Sequence, residues 1–299
     1  MALWIPITLA AALVQTLRFM LQRQLKGVGL STGGATFARF LFAAPLAAGL
    51  AGALLAAGGE VPVPGVRFWA FAAVGGVAQI VATFCTVALF HARNFAVGIG
   101  FTKTETVLVA AFSALVLAEP VSPPALAAIG IGALGVLLLT RAEGAGAPRF
   151  LNRATALGLA AGALFGLSAV GYRGATQELL PAGFFLRATV TLACVTAFQA
   201  VAMAAWLRLA EPGELSRVGR AWRRVLPVGV TGMLGSLGWF SAFALQNAAY
   251  VRAVGQVEVV FTILASWLVF HERLTLREIA GIALVVASLL TIVLSLPAP

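Results

Sequence analysis

The sequence predicts an all-α polytopic membrane protein, with ten transmembrane helices arranged as two inverted five-helix repeats around a central cavity. Three observations carry that expectation. First, Ala, Val, Ile, Leu, Met, Phe, Trp, Tyr and Cys make up 61% of the 299 residues, and charged residues only 10%; mean hydropathy is +1.00. A soluble domain carries roughly 25% charged residues, and a soluble chain this apolar could not cover its core with polar surface. Lipid needs no such cover. Second, the apolar residues fall into runs near the length of a bilayer crossing. Third, the chain aligns with itself at a nearly constant shift.

A membrane helix takes roughly 20 mostly apolar residues. Ten runs qualify: 3–22, 34–57, 68–90, 97–117, 124–140, 154–173, 184–207, 225–245, 253–270 and 278–296. The first has no Lys or Arg before Arg18 and carries Gln15, Arg18 and Gln22 in its second half, so it reads as a retained helix and not a signal peptide. The second ends at Gly58-Gly59-Glu60, with Pro62-Val63-Pro64 beyond. The third and eighth are the clearest spans, and the fifth is short. Ser122-Pro123-Pro124 starts the fifth, with Ser as cap and Pro in the first turn. Thr275-Leu276-Arg277-Glu278 starts the tenth as a capping box. The chain divides into a first repeat at 1–140, a linker loop at 141–153 and a second repeat at 154–299. No room is left for a separate soluble domain.

The formal charge is +10, from 18 Arg, 2 Lys and 10 Glu with no Asp. These basic residues stand singly between apolar runs, except in one loop, so nucleic acid is not the partner they indicate. Their distribution indicates topology. Connections one, three, five, seven and nine hold thirteen Arg and Lys, and the even connections hold Arg67 and Arg252 alone. The positive-inside rule sets the odd loops in the cytoplasm and both termini outside. For a bacterial chain this means a multi-pass inner-membrane protein with periplasmic termini. Cys85 and Cys194 lie inside apolar runs and read as packing thiols.

At a shift of 153, Phe90, Asn94, Ala96, Glu105, Ser113 and Glu119 fall on Phe243, Asn247, Ala249, Glu258, Ser266 and Glu272. Arg23 falls on Arg173 at a shift of 150, and Arg39 on Arg187 at 148. Such recurrence marks two copies of one five-helix unit. Five is odd, so the copies insert with opposite orientation, as in transporters that hold substrate at the midplane between halves.

On these features the chain resembles the drug/metabolite transporter superfamily, EamA branch. The half-ending pattern of that family reads here Leu268-Val269-Phe270-His271-Glu272-Arg273-Leu274-Thr275, followed by Gly281. The first copy departs from it at Pro120 and Ala128. Among subfamilies the chain is most similar to YddG-type exporters. That resemblance implies export of aromatic amino acids by alternating access.

Polar residues inside spans are costly and therefore directional. Gln79, Thr83, Thr86 and Phe90 form one helical stripe, and the repeat maps them onto Gly232, Ser236, Trp239 and Phe243, with Gln246 one turn on. The two stripes read either as a cavity wall or as helix–helix glue. Gln15, Arg18 and Gln22 in the first span correspond to Phe165, Ser168 and Tyr172 in the sixth. Arg18 can bind a carboxylate or pair with a Glu. The expected substrate contacts are thus Gln15, Arg18, Gln79, Thr83, Thr86, Ser168, Tyr172, Ser236, Trp239, Phe243 and Gln246. Lys103, Glu105 and Glu258 read as coupling groups or structural charges. Arg39 and Arg187, near span starts, are expected to snorkel or bind headgroups. Glu119 and Glu272 are expected to cap helices or lock loops.

Enzyme chemistry finds no footing. His91 and His271 sit in short connections, no Cys and His residues have metal spacing, and no nucleophile or nucleotide motif occurs. No cofactor is expected. The expected partners are the lipid bilayer and a small-molecule substrate, and a monomer suffices. The expectation is therefore a secondary transporter that exports small amphiphilic metabolites, above all aromatic amino acids. The alternatives are a broad drug or cation exporter of the same fold and, more distantly, a membrane-embedded enzyme or scaffold.

Overall fold

A computed structural model describes residues 2–89, 102, 104–140, 153–261, 264 and 276–295. Phe90, His91, Lys103, His271 and Glu272 lie outside the described residues. Within them the chain forms eleven α-helices and no strand: α1 Trp4–Gln24, α2 Thr32–Ala56, α3 Val66–Leu89, α4 Glu105–Leu117, α5 Pro123–Thr140, α6 Arg153–Gln177, α7 Phe184–Ala210, α8 Glu214–Arg220, α9 Trp222–Leu245, α10 Ala248–Gly255 and α11 Leu276–Ser295. Six of them are long and apolar enough to cross a membrane, which makes this a multi-pass helical membrane protein.

Local chemistry explains most boundaries. Ser31 caps α2 by accepting from the Gly34 N–H, so α2 starts two residues before the apolar run suggests. The Ser122-Pro123 start of α5 falls where the sequence indicates. The connection between α7 and α9 holds a helix that the sequence reading missed, α8, which buries Glu214 and Val218. The expected ninth span needs correction. Helix begins at Ala248, five residues early, because Asn247 caps it by accepting from the Ala249 N–H at 2.8 Å. It then breaks at a turn on Gln256 before helical backbone resumes at 257–261. Arg252 is therefore a helical residue, not part of a loop.

Helices distant in the chain pair with one another. α1 packs on α9, α3 on α6, α2 on α7, and α5 on α11. Small residues set the approach, as expected where lipid supplies no hydrophobic drive between helices. At the α3–α6 crossing, a Cβ on Gly171 would lie 2.9 Å from the Phe71 carbonyl oxygen and 3.0 Å from Gly75 Cα. At the α5–α11 crossing, Ser288 Oγ donates to the Ala128 carbonyl at 2.6 Å, and a Cβ on Gly135 would lie 2.8 Å from the Gly281 carbonyl. These two contacts exchange under the shift of 153, since Ala128 corresponds to Gly281 and Gly135 to Ser288.

Because backbone cannot yield as a side chain can, Gly171→Val should cost ~1–3 kcal/mol of stability. Thermal unfolding in detergent checks this. A melting temperature equal to wild type would mean that the crossing is looser than described.

Candidate functional site

A cavity of about 160 Å³ is walled by α1, α2, α3, α6 and α9 together with Glu105, Arg252 and Glu258. Of the expected contacts, Gln15, Gln79, Thr86, Ser168, Tyr172, Ser236, Trp239 and Phe243 line it. Three do not. Arg18 is buried beside the cavity, donating to Gln22 Oε1 at 2.7 Å. Thr83 is buried behind the wall, where its hydroxyl takes a bond from Arg39 at 3.2 Å. Gln246 ends α9, and its Oε1 accepts from the Asn247 N–H at 2.8 Å. It serves the turn, because the helix stops there and leaves that N–H without a helical acceptor.

The aromatic wall comes from α9 and α6. Trp239 stacks on Phe243 with centroids 6.1 Å apart, and Tyr172 on Phe240 at 4.3 Å. Hydrogen bonds hold both rings in register. The Trp239 indole N–H donates to Gln15 Oε1 at 2.9 Å. The Tyr172 hydroxyl donates to Gln79 Oε1 at 2.9 Å. Gln199 on α7, a residue the sequence reading passed over, donates to Tyr172 Oη at 3.2 Å and to Gln79 Oε1 at 3.1 Å. Its only signal was an isolated amide inside an apolar run.

Charge enters the cavity at the start of α4 and past the break at Gln256. Glu105 is the first residue of α4, and Glu258 lies two residues past the break after α10. Each carboxylate sits in a first turn, where the helix dipole favours negative charge. Arg252 pairs with Glu105 and lies over the Trp239 ring, 4.6 Å from its centroid. Gln15 Nε2 donates to Glu258 Oε2 at 2.8 Å. Glu258, Gln15, Trp239, Arg252 and Glu105 thus form one continuous chain of contacts across the cavity.

Two further corrections concern arginines. Arg39 does not snorkel. It is buried, lines the cavity, and donates to Thr83 Oγ1 at 3.2 Å and Ser236 Oγ at 3.3 Å. Arg187 is also buried, and donates to the Thr176 and Ala244 carbonyls at 3.1 and 3.2 Å. Those carbonyls belong to the last turns of α6 and α9, which lack helical donors. Both side chains lie near helix starts in sequence, but packing turns them inward.

Glu119 acts as a lock rather than a cap. Arg173 binds it through Nε and Nη2, the latter at 2.8 Å, while Arg173 Nη1 donates to the Phe243 carbonyl at 2.7 Å. Asn247 Nδ2 donates to the Glu119 carbonyl at 3.0 Å. The lock joins the segment after α4 to α6, α9 and the start of α10. At the start of α2, buried Glu214 accepts from the Ser31 N–H at 2.7 Å and pairs with Arg217, while the Ser31 hydroxyl binds Glu211. Among the described residues no group of three or more His, Cys, Asp or Glu side chains could hold a metal ion.

Comparison with known proteins bears on this arrangement. Residues 152–294 match the model of the EamA-like transporter family. One solved crystal structure superposes with a TM-score of 0.74 over 97% of this chain and 96% of its own, at 17% identity, a likeness of fold. No curated protein matches the sequence significantly.

Replacing Glu119 with Gln strips the carboxylate from a mostly buried Arg173. We expect a loss of ~1–3 kcal/mol in stability, with Glu119→Arg/Arg173→Glu recovering part of it. If the single and double variants melt alike, the pair is not coupled.

Proposed function

We propose that the chain is an EamA-type secondary transporter that exports small amphiphilic metabolites, aromatic amino acids first among them, by alternating access. The single observation that carries this reading is the cavity itself: one space between the halves, with stacked aromatics on one wall and both signs of charge within reach. A zwitterion with a ring asks for that combination. The match of residues 152–294 to a transporter family supports the general activity.

Two features support rocking of two inverted five-helix halves. The helix pairs obey the exchange that the repeat demands: swapping halves turns α1–α9 into α6–α3, and maps α2–α7 and α5–α11 onto themselves. The reciprocal contacts at Ser288 and Gly135 obey it as well. The alternative, a broad exporter of organic cations, finds its cation–π position over Trp239 already held by the Arg252 guanidinium.

Proteoliposomes with a labelled panel of aromatic amino acids and organic cations test this reading. Saturable flux of the amino acids is expected, and Trp239→Ala should lower it roughly tenfold by removing the stacking surface. Flux of cations alone would hand the assignment to the drug exporter. Absence of flux for every compound would remove the transporter reading.

The loop bias further assigns both termini to the periplasm of a bacterial inner membrane. Reporter fusions at Pro299 should be active as a periplasmic enzyme and silent as a cytoplasmic fluorophore, and the reverse pattern would overturn the topology.

A further inference from the structure

A buried cation is costly unless its charge is matched, and the three buried arginines of the described residues, Arg18, Arg39 and Arg187, form none of the ion pairs found there. The ion pairs among the described residues are Arg67–Glu178, Arg173–Glu119, Arg217–Glu214 and Arg252–Glu105. Arg39 stands outside this set. It is 4% exposed, and among the described residues its partners are the neutral hydroxyls of Thr83 and Ser236 and the Phe40 ring, 5.5 Å from Cζ. A guanidinium has five N–H donors in a planar fork, and two bonds to hydroxyls leave most of that capacity unused. Arg39 Nε is not among the sealed, unpartnered atoms of the described residues, whereas Arg187 Nε is. Arg39 lines the cavity, so its open donors meet that space.

The backing reinforces this. Arg18, also buried, runs beside Arg39 at Gly232, where an added Cβ would lie 3.3 Å from Arg39 Cγ and 3.5 Å from Arg18 Cδ. Arg18 spends its charge on the Gln22 amide and the Phe19 ring, 4.2 Å away. Two buried guanidiniums side by side, neither ion-paired, raise the positive potential of the cavity at this end. Thr83 and Ser236 anchor one Nη each and fix the plane of the fork.

We infer that Arg39 is the carboxylate receptor of the cavity, and that the protein selects ligands bearing a free carboxylate beside a ring. This deepens the transport reading and rests on it for its physiological meaning. The carboxylate docks on Arg39, the ring lies along Trp239 and Phe243, and an amino group faces the Glu258 side. Bidentate Arg–carboxylate recognition supplies the discrimination.

Equilibrium binding to purified protein, with flux measured separately, tests the inference. The probes are phenylalanine, phenylalaninamide, 3-phenylpropionate and phenethylamine. Wild type should bind the two acids roughly tenfold or more tightly than their partners lacking the carboxylate. Arg39→Gln should erase that gap while the amide and amine bind as before. A milder variant, Thr83→Val with Ser236→Ala, keeps the charge, loosens the fork and should narrow the gap several-fold. The inference fails if wild type binds the amide as well as the acid, if it binds none of the four, or if Arg39→Gln retains the gap. Selective binding with no flux would instead refute the transporter reading and leave the receptor assignment standing.

Discussion

The fold is organised around the cost of charge in a low-dielectric interior. Removing an ion from water costs several kcal/mol even after the protein relaxes, and in lipid no solvent is at hand to offset it. Glu105 sits in the first turn of α4 and Glu258 just past the break at Gln256, where dipoles favour them. Arg252 then ties one to the Trp239 face, and Gln15 ties the other to the Trp239 edge. This single chain of contacts draws α1, α4, α9 and α10 together. The break at Gln256 is what lets a charged segment reach the interior without a continuous apolar helix carrying it there. Removing any member would leave a neighbour buried and unmatched, so the site and the packing are one problem.

The helix contacts answer a second constraint. Lipid-exposed helices gain little from burial against each other, so close approach must come from small side chains. Gly75 and Gly171 let α3 meet α6 at backbone distance, and that approach brings Tyr172 within reach of Gln79. Ala128, Gly135, Gly281 and Ser288 make two contacts between α5 and α11 by different chemistry. One is a hydrogen bond from Ser288, and the other is bare backbone proximity.

Sequence periodicity made the stripes legible, since Gln79 and Thr86 share one face of α3, and Ser236, Trp239 and Phe243 one face of α9. What it could not show was depth and rotation across helices. Arg39 and Arg187 lie near helix starts, where a snorkelling side chain and an inward one give the same pattern. Arg252 looked like a loop charge because the break in its helix leaves no apolar run. Arg173 and Glu119 each align with another copy of the same residue in the sequence, but their pairing lies 54 residues apart in the chain and depends on how α6 packs on α4. Gln199 carried too little signal on its own, and only the meeting of α3, α6 and α7 gives its amide three acceptors.

Arg39 and Arg187, which align at a shift of 148 in the sequence, have different tasks. Each is a buried guanidinium near a helix start, Arg39 on α2 and Arg187 on α7. The last turns of α6 and α9 lie close to Arg187, which fills their empty carbonyls. Its charge is answered by two helix C-termini, whose dipoles favour a cation. Arg39 instead meets hydroxyls, which accept hydrogen bonds but bring no negative charge. The same residue type thus acts as a structural tie where helix ends converge, and keeps its charge in play where they do not. The partners around Arg187 close it off, and those around Arg39 leave it lining the cavity.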